Sequence, residues 1–91
     1  MFEKIVEVKP MNNYVLKAVF KNGEIRIFDM KPEIEKRPYY AALRNNPELF
    51  AKVRPIGLGS AVGWNDDIDM ASEWIWEHGE VKFVPDDEVW S

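Results

Sequence analysis

The stretch Tyr14-Val-Leu-Lys-Ala-Val-Phe20, Lys21-Asn22-Gly23-Glu24, Ile25-Arg-Ile-Phe-Asp-Met30 decides the fold. Two runs rich in Val, Ile, Phe and Tyr flank Asn22-Gly23, the dipeptide that best tolerates the paired positive φ angles of a type I′ turn. A two-residue loop sets Lys21 opposite Glu24 and Phe20 opposite Ile25. Ala18 then faces Ile27, and Leu16 faces Asp29. Side chains alternate along a strand, so the expected core face is Tyr14, Leu16, Ala18, Phe20, Ile25 and Ile27. The opposite face carries Val15, Lys17, Val19, Lys21, Glu24, Arg26, Phe28 and Met30. Its apolar members, Val19, Phe28 and Met30, call for cover from a helix or a partner.

Outward from this hairpin, Phe2 to Val8 alternates as a first strand, with Pro10 to Asn13 as the turn, which gives an antiparallel three-stranded meander. Pro32 closes the third strand, because proline cannot donate to a ladder, and it suits a first helical turn over Glu33 to Lys36. Tyr39 to Leu43 reads as a short helix stopped by Asn45 and Asn46. Pro47 to Val53 reads as another, with Asn46 as its cap and Glu48 at the positive end of its dipole. Leu43, Leu49, Phe50 and Val53 are set to pack on the sheet. Arg54 to Gly59 and Ser60 to Asn65 form a second hairpin. Asp69 is placed as the cap of a helix from Met70 to His78, ending at Gly79. Val81 to Val84 is a possible extra strand. The expected class is α+β, with residues 1–80 as a single domain and 81–91 as a C-terminal extension, a possible interface strand and acidic tail.

Composition narrows the function. Ninety-one residues that are 46% hydrophobic and 13% aromatic describe one globular domain with a modest core. The absence of cysteine excludes a disulfide framework and a thiolate zinc site, and fits the cytoplasm. No apolar run approaches the roughly 20 residues of a membrane helix, and the N-terminus lacks the profile of a signal peptide. A net charge of −4 provides no general attraction for nucleic acid.

Few constellations carry chemistry. Asp66, Asp67 and Asp69 are the densest carboxylates, and three loop oxygens suit Mg²⁺ or Ca²⁺. Their spacing is not that of an EF-hand, and the plainer reading is an Asx turn with a helix cap. The single histidine, His78, is accounted for by a helix C-terminus, and no serine sits in a nucleophile elbow. Gly57, Gly59 and Gly63 lack the Lys-Ser/Thr of a phosphate loop. No catalytic residue, metal or cofactor is assigned. Lys36, Arg37, Arg44 and Lys52, interleaved with Tyr39 and Tyr40, are the candidate nucleic-acid surface, opposed by Glu33, Glu35 and Glu48. Of the four tryptophans, Trp64 and Trp74 are assigned to the core. Trp76 and Trp90 have no evident intramolecular place. With Val81 and Phe83 they form the candidate protein interface, by strand addition or helix-face packing.

The ordered series Val6-Glu-Val-Lys-Pro10, Asn22-Gly-Glu24, Phe28-Asp-Met-Lys-Pro32, Asn46-Pro-Glu-Leu-Phe50, then Trp64 and Asp67-Ile-Asp69 resembles domain-of-unknown-function family 2442 over about residues 5–78. The resemblance implies a small α+β fold and no established activity. Some members of that family carry a C-terminal helix-turn-helix, and others are encoded beside a second small protein in toxin–antitoxin-like arrangements. The segment after residue 78 is too short for a helix-turn-helix. The expectation is a non-enzymatic protein-binding module, acting through a protein partner or as a homodimer, antitoxin-like or regulatory. The alternatives are a nucleic-acid-binding regulator and a metal-assisted enzyme at the three aspartates.

Overall fold

The computed structural model describes residues 3–85. Its first sheet is built from β1 (Ile5–Met11), β2 (Val15–Phe20), β3 (Ile25–Asp29) and β7 (Glu80–Phe83), in the spatial order β1-β2-β3-β7. All three pairings are antiparallel. The expected meander is therefore present, and the chain returns at its C-terminal side to extend it. The expected domain boundary between residues 80 and 81 falls inside β7.

The hairpin closes differently from the expected type I′ turn. Gly23 N–H donates to Phe20 O and Phe20 N–H donates to Glu24 O, each at 2.8 Å, so Lys21, Asn22 and Gly23 form a three-residue loop. Gly23 alone in this loop has positive φ, +91°, the geometry of a type I turn followed by a glycine bulge. The Asn22 side chain accepts from Glu24 N–H at 2.9 Å, which ties the loop at its exit. The added loop residue slips the register by one. Val19 now faces Ile25, Ala18 faces Arg26 and Leu16 faces Phe28.

A slip of one residue turns every side chain of a strand to the other face. Ile25 and Ile27, expected inside, point outward and are half-buried. Phe28 and Met30, expected outside, are buried with Leu16, Ala18 and Phe20. Glu24 and Arg26 also turn inward. Glu24 is buried, and its carboxylate takes both Nε (2.7 Å) and Nη2 of Arg26. Arg26 Nη1 donates to the carbonyl oxygen of Trp76, and its guanidinium lies over the Trp76 ring, 3.9 Å from the centroid. Trp76 packs edge-on against Phe20, with centroids 5.0 Å apart. Trp76 thus has an intramolecular place, contrary to the expectation that it projects as a free anchor.

The strand-to-strand turn before β2 also shifts. Pro10 lies within β1, on the sheet edge, where its missing N–H costs no ladder bond. The turn falls at Asn12 to Tyr14 instead. Beyond β3, α1 (Lys31–Lys36), a 3-10 helix (Pro38–Leu43) and α2 (Pro47–Phe50) cross the inner face. Asn46 caps α2 as expected, its side chain accepting from Leu49 N–H at 3.2 Å. Ile34, Tyr40, Leu43, Phe50 and Val53 are buried against the sheet.

A second sheet, β4 (Arg54–Ile56), β5 (Ala61–Gly63) and β6 (Asp69–Ala71), closes the other end of the core. Its first two strands are the expected second hairpin. Its third strand takes residues assigned to a helix: α3 begins at Ser72, not Met70, and Asp69 is not its cap. Ser72 is fully buried, with its N–H on Ser60 O (2.9 Å) and its Oγ donating to Gly59 O (2.7 Å). Those two bonds hold the start of α3 to the β4–β5 loop, and that same loop presses on β1. At Gly59, φ is +89° and an added Cβ would lie 2.4 Å from the backbone oxygen of Ile5.

Two tests follow from this packing. Gly23→Ala should lower stability by about 1 kcal/mol, the cost of left-handed backbone without glycine, because its close neighbour is the mobile ring edge of Pro85. Gly59→Ala should cost several-fold more, since backbone must move. Urea midpoints compare the two. For the buried pair, Glu24→Ala and Arg26→Ala should each cost about 3 kcal/mol, because each leaves an uncompensated buried charge. The double variant should cost clearly less than the sum, and additive losses would remove the pair from the account of stability.

Candidate functional site

Two surfaces stand out. The first is a groove of about 610 Å³ between α1, the 3-10 helix, β6 and α3. Pro38 fixes the start of the 3-10 helix, and that turn brings the adjacent Tyr39 and Tyr40 to β6. The Tyr40 hydroxyl donates to Asp69 O at 3.0 Å, and the Tyr39 hydroxyl donates to the Asp69 carboxylate at 2.8 Å. Asp69 N–H returns a bond to the Tyr39 oxygen at 3.1 Å. Met70 and Trp74 supply the opposite wall, and Lys36 and Arg37 form the rim. Arg37 Nε binds Glu33 Oε1 at 2.6 Å, and its guanidinium stands over Trp74, 5.3 Å from the ring centroid. Trp74 is braced from behind by His78, with ring centroids 4.0 Å apart. Its indole Nε1 is enclosed and has no acceptor among the described residues, so Trp74 offers ring surface rather than a donor.

The candidate nucleic-acid residues divide here. Lys36, Arg37, Tyr39 and Tyr40 line the groove. Arg44 lies at a separate hollow with Tyr14 and Ile34, donating to Ile34 O at 3.0 Å. Lys52 is exposed beyond α2 and lines neither. Trp74 was legible only as core and Met70 only as a helix start, and their share in the groove depends on where β6 ends and α3 begins.

The three candidate aspartates do not gather into one site. Asn65, not an aspartate, makes the Asx turn, its side chain accepting from Asp67 N–H (2.8 Å) and Ile68 N–H (2.9 Å). Asp69 is turned to Tyr39. Among the described residues no three His, Cys, Asp or Glu side chains gather as metal ligands. No helix among them is long and apolar enough to cross a membrane.

The second surface is the outer face of the four-stranded sheet. The buried sheet residues Ile5, Val8, Leu16, Ala18, Phe20 and Phe28 all belong to the inner face. Outward-facing Val15, Val19, Ile25 and Ile27 are half-buried. Phe83, paired with Ile25, is 53% exposed, and Val81 on the same edge strand is 48% exposed. Val81 and Phe83 thus lie open on β7, whereas Trp76 packs inward and Trp90 lies outside the described residues.

Burial pushes the Tyr40 phenol up to about 12, with Tyr39, Glu33 and Asp69 adding to the shift and Arg37 opposing it. The ordinary value is 10.0, so between those two pH values the unfolded chain loses this proton while the folded chain keeps it. The contribution is intact below pH 10 and declines as pH rises toward about 12. An absorbance titration of the phenols should show one tyrosine ionising last, and Tyr40→Phe should delete that step.

The family model "Protein of unknown function (DUF2442)" matches residues 5–82. No curated protein matches the chain. Among solved structures, the chain is similar to the crystal structure of "Putative DNA Binding Protein NE0471" from Nitrosomonas europaea ATCC 19718, with a TM-score of 0.72 and 25% identity. The similarity covers 84% of this chain and 48% of that one, so the chain spans about half the length of that protein. With the matched span running from the first strand through β7, the chain belongs to the DUF2442 family of proteins of unknown function.

Proposed function

We propose that the chain is a non-enzymatic protein-binding module, the antitoxin-like or regulatory partner of a small co-encoded protein. The observation that carries this reading is the one-sided sheet. Val19, Ile25 and Phe83 make an apolar row across three strands on the face that the chain's own helices leave open, with Val15 and Ile27 beside it around Lys17. A row of this kind, flanked by Glu7, Lys9 and Glu80, has the apolar centre and polar edge of an interaction surface. The open edge of β7 adds a row of backbone groups that a partner strand can join. The net charge of −4 favours a basic partner.

A second reading is contact with nucleic acid through Lys36, Arg37, Tyr39 and Tyr40. The convergence of these four on one groove supports it, as does the name of the Nitrosomonas europaea protein. It ranks second because only two cations, Lys36 and Arg37, line the groove, whereas Arg44 and Lys52 lie outside it.

The leading reading is tested with Ile25→Lys/Phe83→Lys, two changes at half-exposed or exposed positions that leave the inner core untouched. Its circular dichroism and melting temperature should match those of the parent. Sedimentation and affinity capture should show the parent in a stoichiometric complex, with itself or with one small basic protein, and the variant as a lone monomer. A complex that survives both lysines, or a parent that remains monomeric and captures nothing, overturns the reading.

A further inference from the structure

We propose that the groove between α1, the 3-10 helix, β6 and α3 binds a small aromatic carboxylate, a function separate from the sheet face. Its volume, about 610 Å³, falls within the roughly 300–1,000 Å³ of small-ligand sites. Its walls are aromatic. Tyr40 and Trp74 both line it, and Tyr39 is 51% exposed at the mouth. A planar ring fits such walls through stacked or edge contacts.

The polar groups of the groove select the charge of the ligand. Both acids are already engaged: Glu33 accepts from Arg37 Nε at 2.6 Å, and Asp69 accepts from the Tyr39 hydroxyl at 2.8 Å. Both cations retain donors. Among the described residues Lys36 has no ion-pair partner, and Arg37 is bonded through Nε alone. Its Nη1/Nη2 edge is left, and that edge matches the two oxygens of a carboxylate. Because the guanidinium stands 5.3 Å from the Trp74 centroid, the fork adjoins the aromatic lining of the groove. A ligand ring seated in the groove beside it therefore carries its carboxylate to the fork. Glu33 holds the arginine in place from the far side, which removes part of the ordering cost that an exposed side chain normally pays on binding.

The test is a titration of isotope-labelled protein with N-acetylphenylalanine, followed by nuclear magnetic resonance. N-acetylphenylalanine amide serves as the uncharged twin. The carboxylate should saturate, shifting the Trp74 indole, the Arg37 Nε–H and the Tyr40 backbone. The amide should bind at least about tenfold more weakly, and Arg37→Gln should weaken the carboxylate by a similar factor, the loss of one charge-assisted contact. Equal binding of the amide overturns the proposal without recourse to any variant. Failure to saturate also overturns it, as does a shift pattern on the outer sheet instead. A dT12 oligonucleotide is the third arm. Should it shift the same groove residues, with affinity falling steeply with salt, the groove belongs to nucleic acid and the small-ligand assignment fails.

Discussion

The Arg26 guanidinium joins the two halves of the molecule. It is held on one side by the buried Glu24 carboxylate, and on the other it donates to the Trp76 carbonyl near the C-terminal end of α3 (Ser72–His78). A helix C-terminus presents unpaired carbonyls and a partial negative charge, so a cation there satisfies both at once. The same guanidinium covers the Trp76 ring, and that ring rests on Phe20 in the centre of the sheet. The position of α3 then sets the depth of Trp74 and the start of β7. Both surfaces described above therefore depend on this one ion pair, although neither contains it.

The pair exists because of a single residue in a turn. Composition, strand periodicity and the Asn-Gly signal correctly indicated a hairpin at residues 14–30, a meander, proline-started helices and an α+β class. They did not separate a two-residue loop from a three-residue loop with a glycine bulge, since Asn22-Gly23 satisfies both. The difference is tertiary. The two-residue loop buries Ile25 and Ile27 and leaves Phe28 and Met30 outside. The bulged loop buries the larger Phe28 and Met30 at the cost of two inward charges. Those charges are tolerable only because they pair with each other and with a carbonyl from α3, residues about fifty positions along the chain. Local pattern carries no trace of such a partner.

A similar competition decided residues 69–71. Asp69 before an amphipathic run is a good helix start by propensity. The stretch is a strand instead, because β5 offers it a ladder and because Ser72 finds buried acceptors at Ser60 and Gly59. Releasing Asp69 from capping turns it toward Tyr39, which dissolves the apparent carboxylate cluster and builds one end of the groove. Four of the six basic and aromatic candidates were legible as neighbours because Lys36 to Tyr40 are nearly contiguous. The wall made by Met70 and Trp74 was not, since it is assembled across the β6–α3 junction.

The sheet itself explains why its outer face stays apolar. An antiparallel sheet is ordinarily free to put polar side chains on its solvated face, and β1 does so with Glu7 and Lys9. Strands β2, β3 and β7 place Lys17, Asp29 and Glu80 there too, but also Val15, Val19, Ile25, Ile27 and Phe83. With Leu16, Ala18, Phe20 and Phe28 already closing the inner core, the outward Val15, Val19, Ile25 and Ile27 are half-buried and Phe83 is exposed. β-branched and aromatic side chains do favour strands, but threonine or tyrosine would meet that preference without the exposed hydrocarbon. The partner surface proposed above, seated against Ile25 and Phe83, would account for the composition of that face.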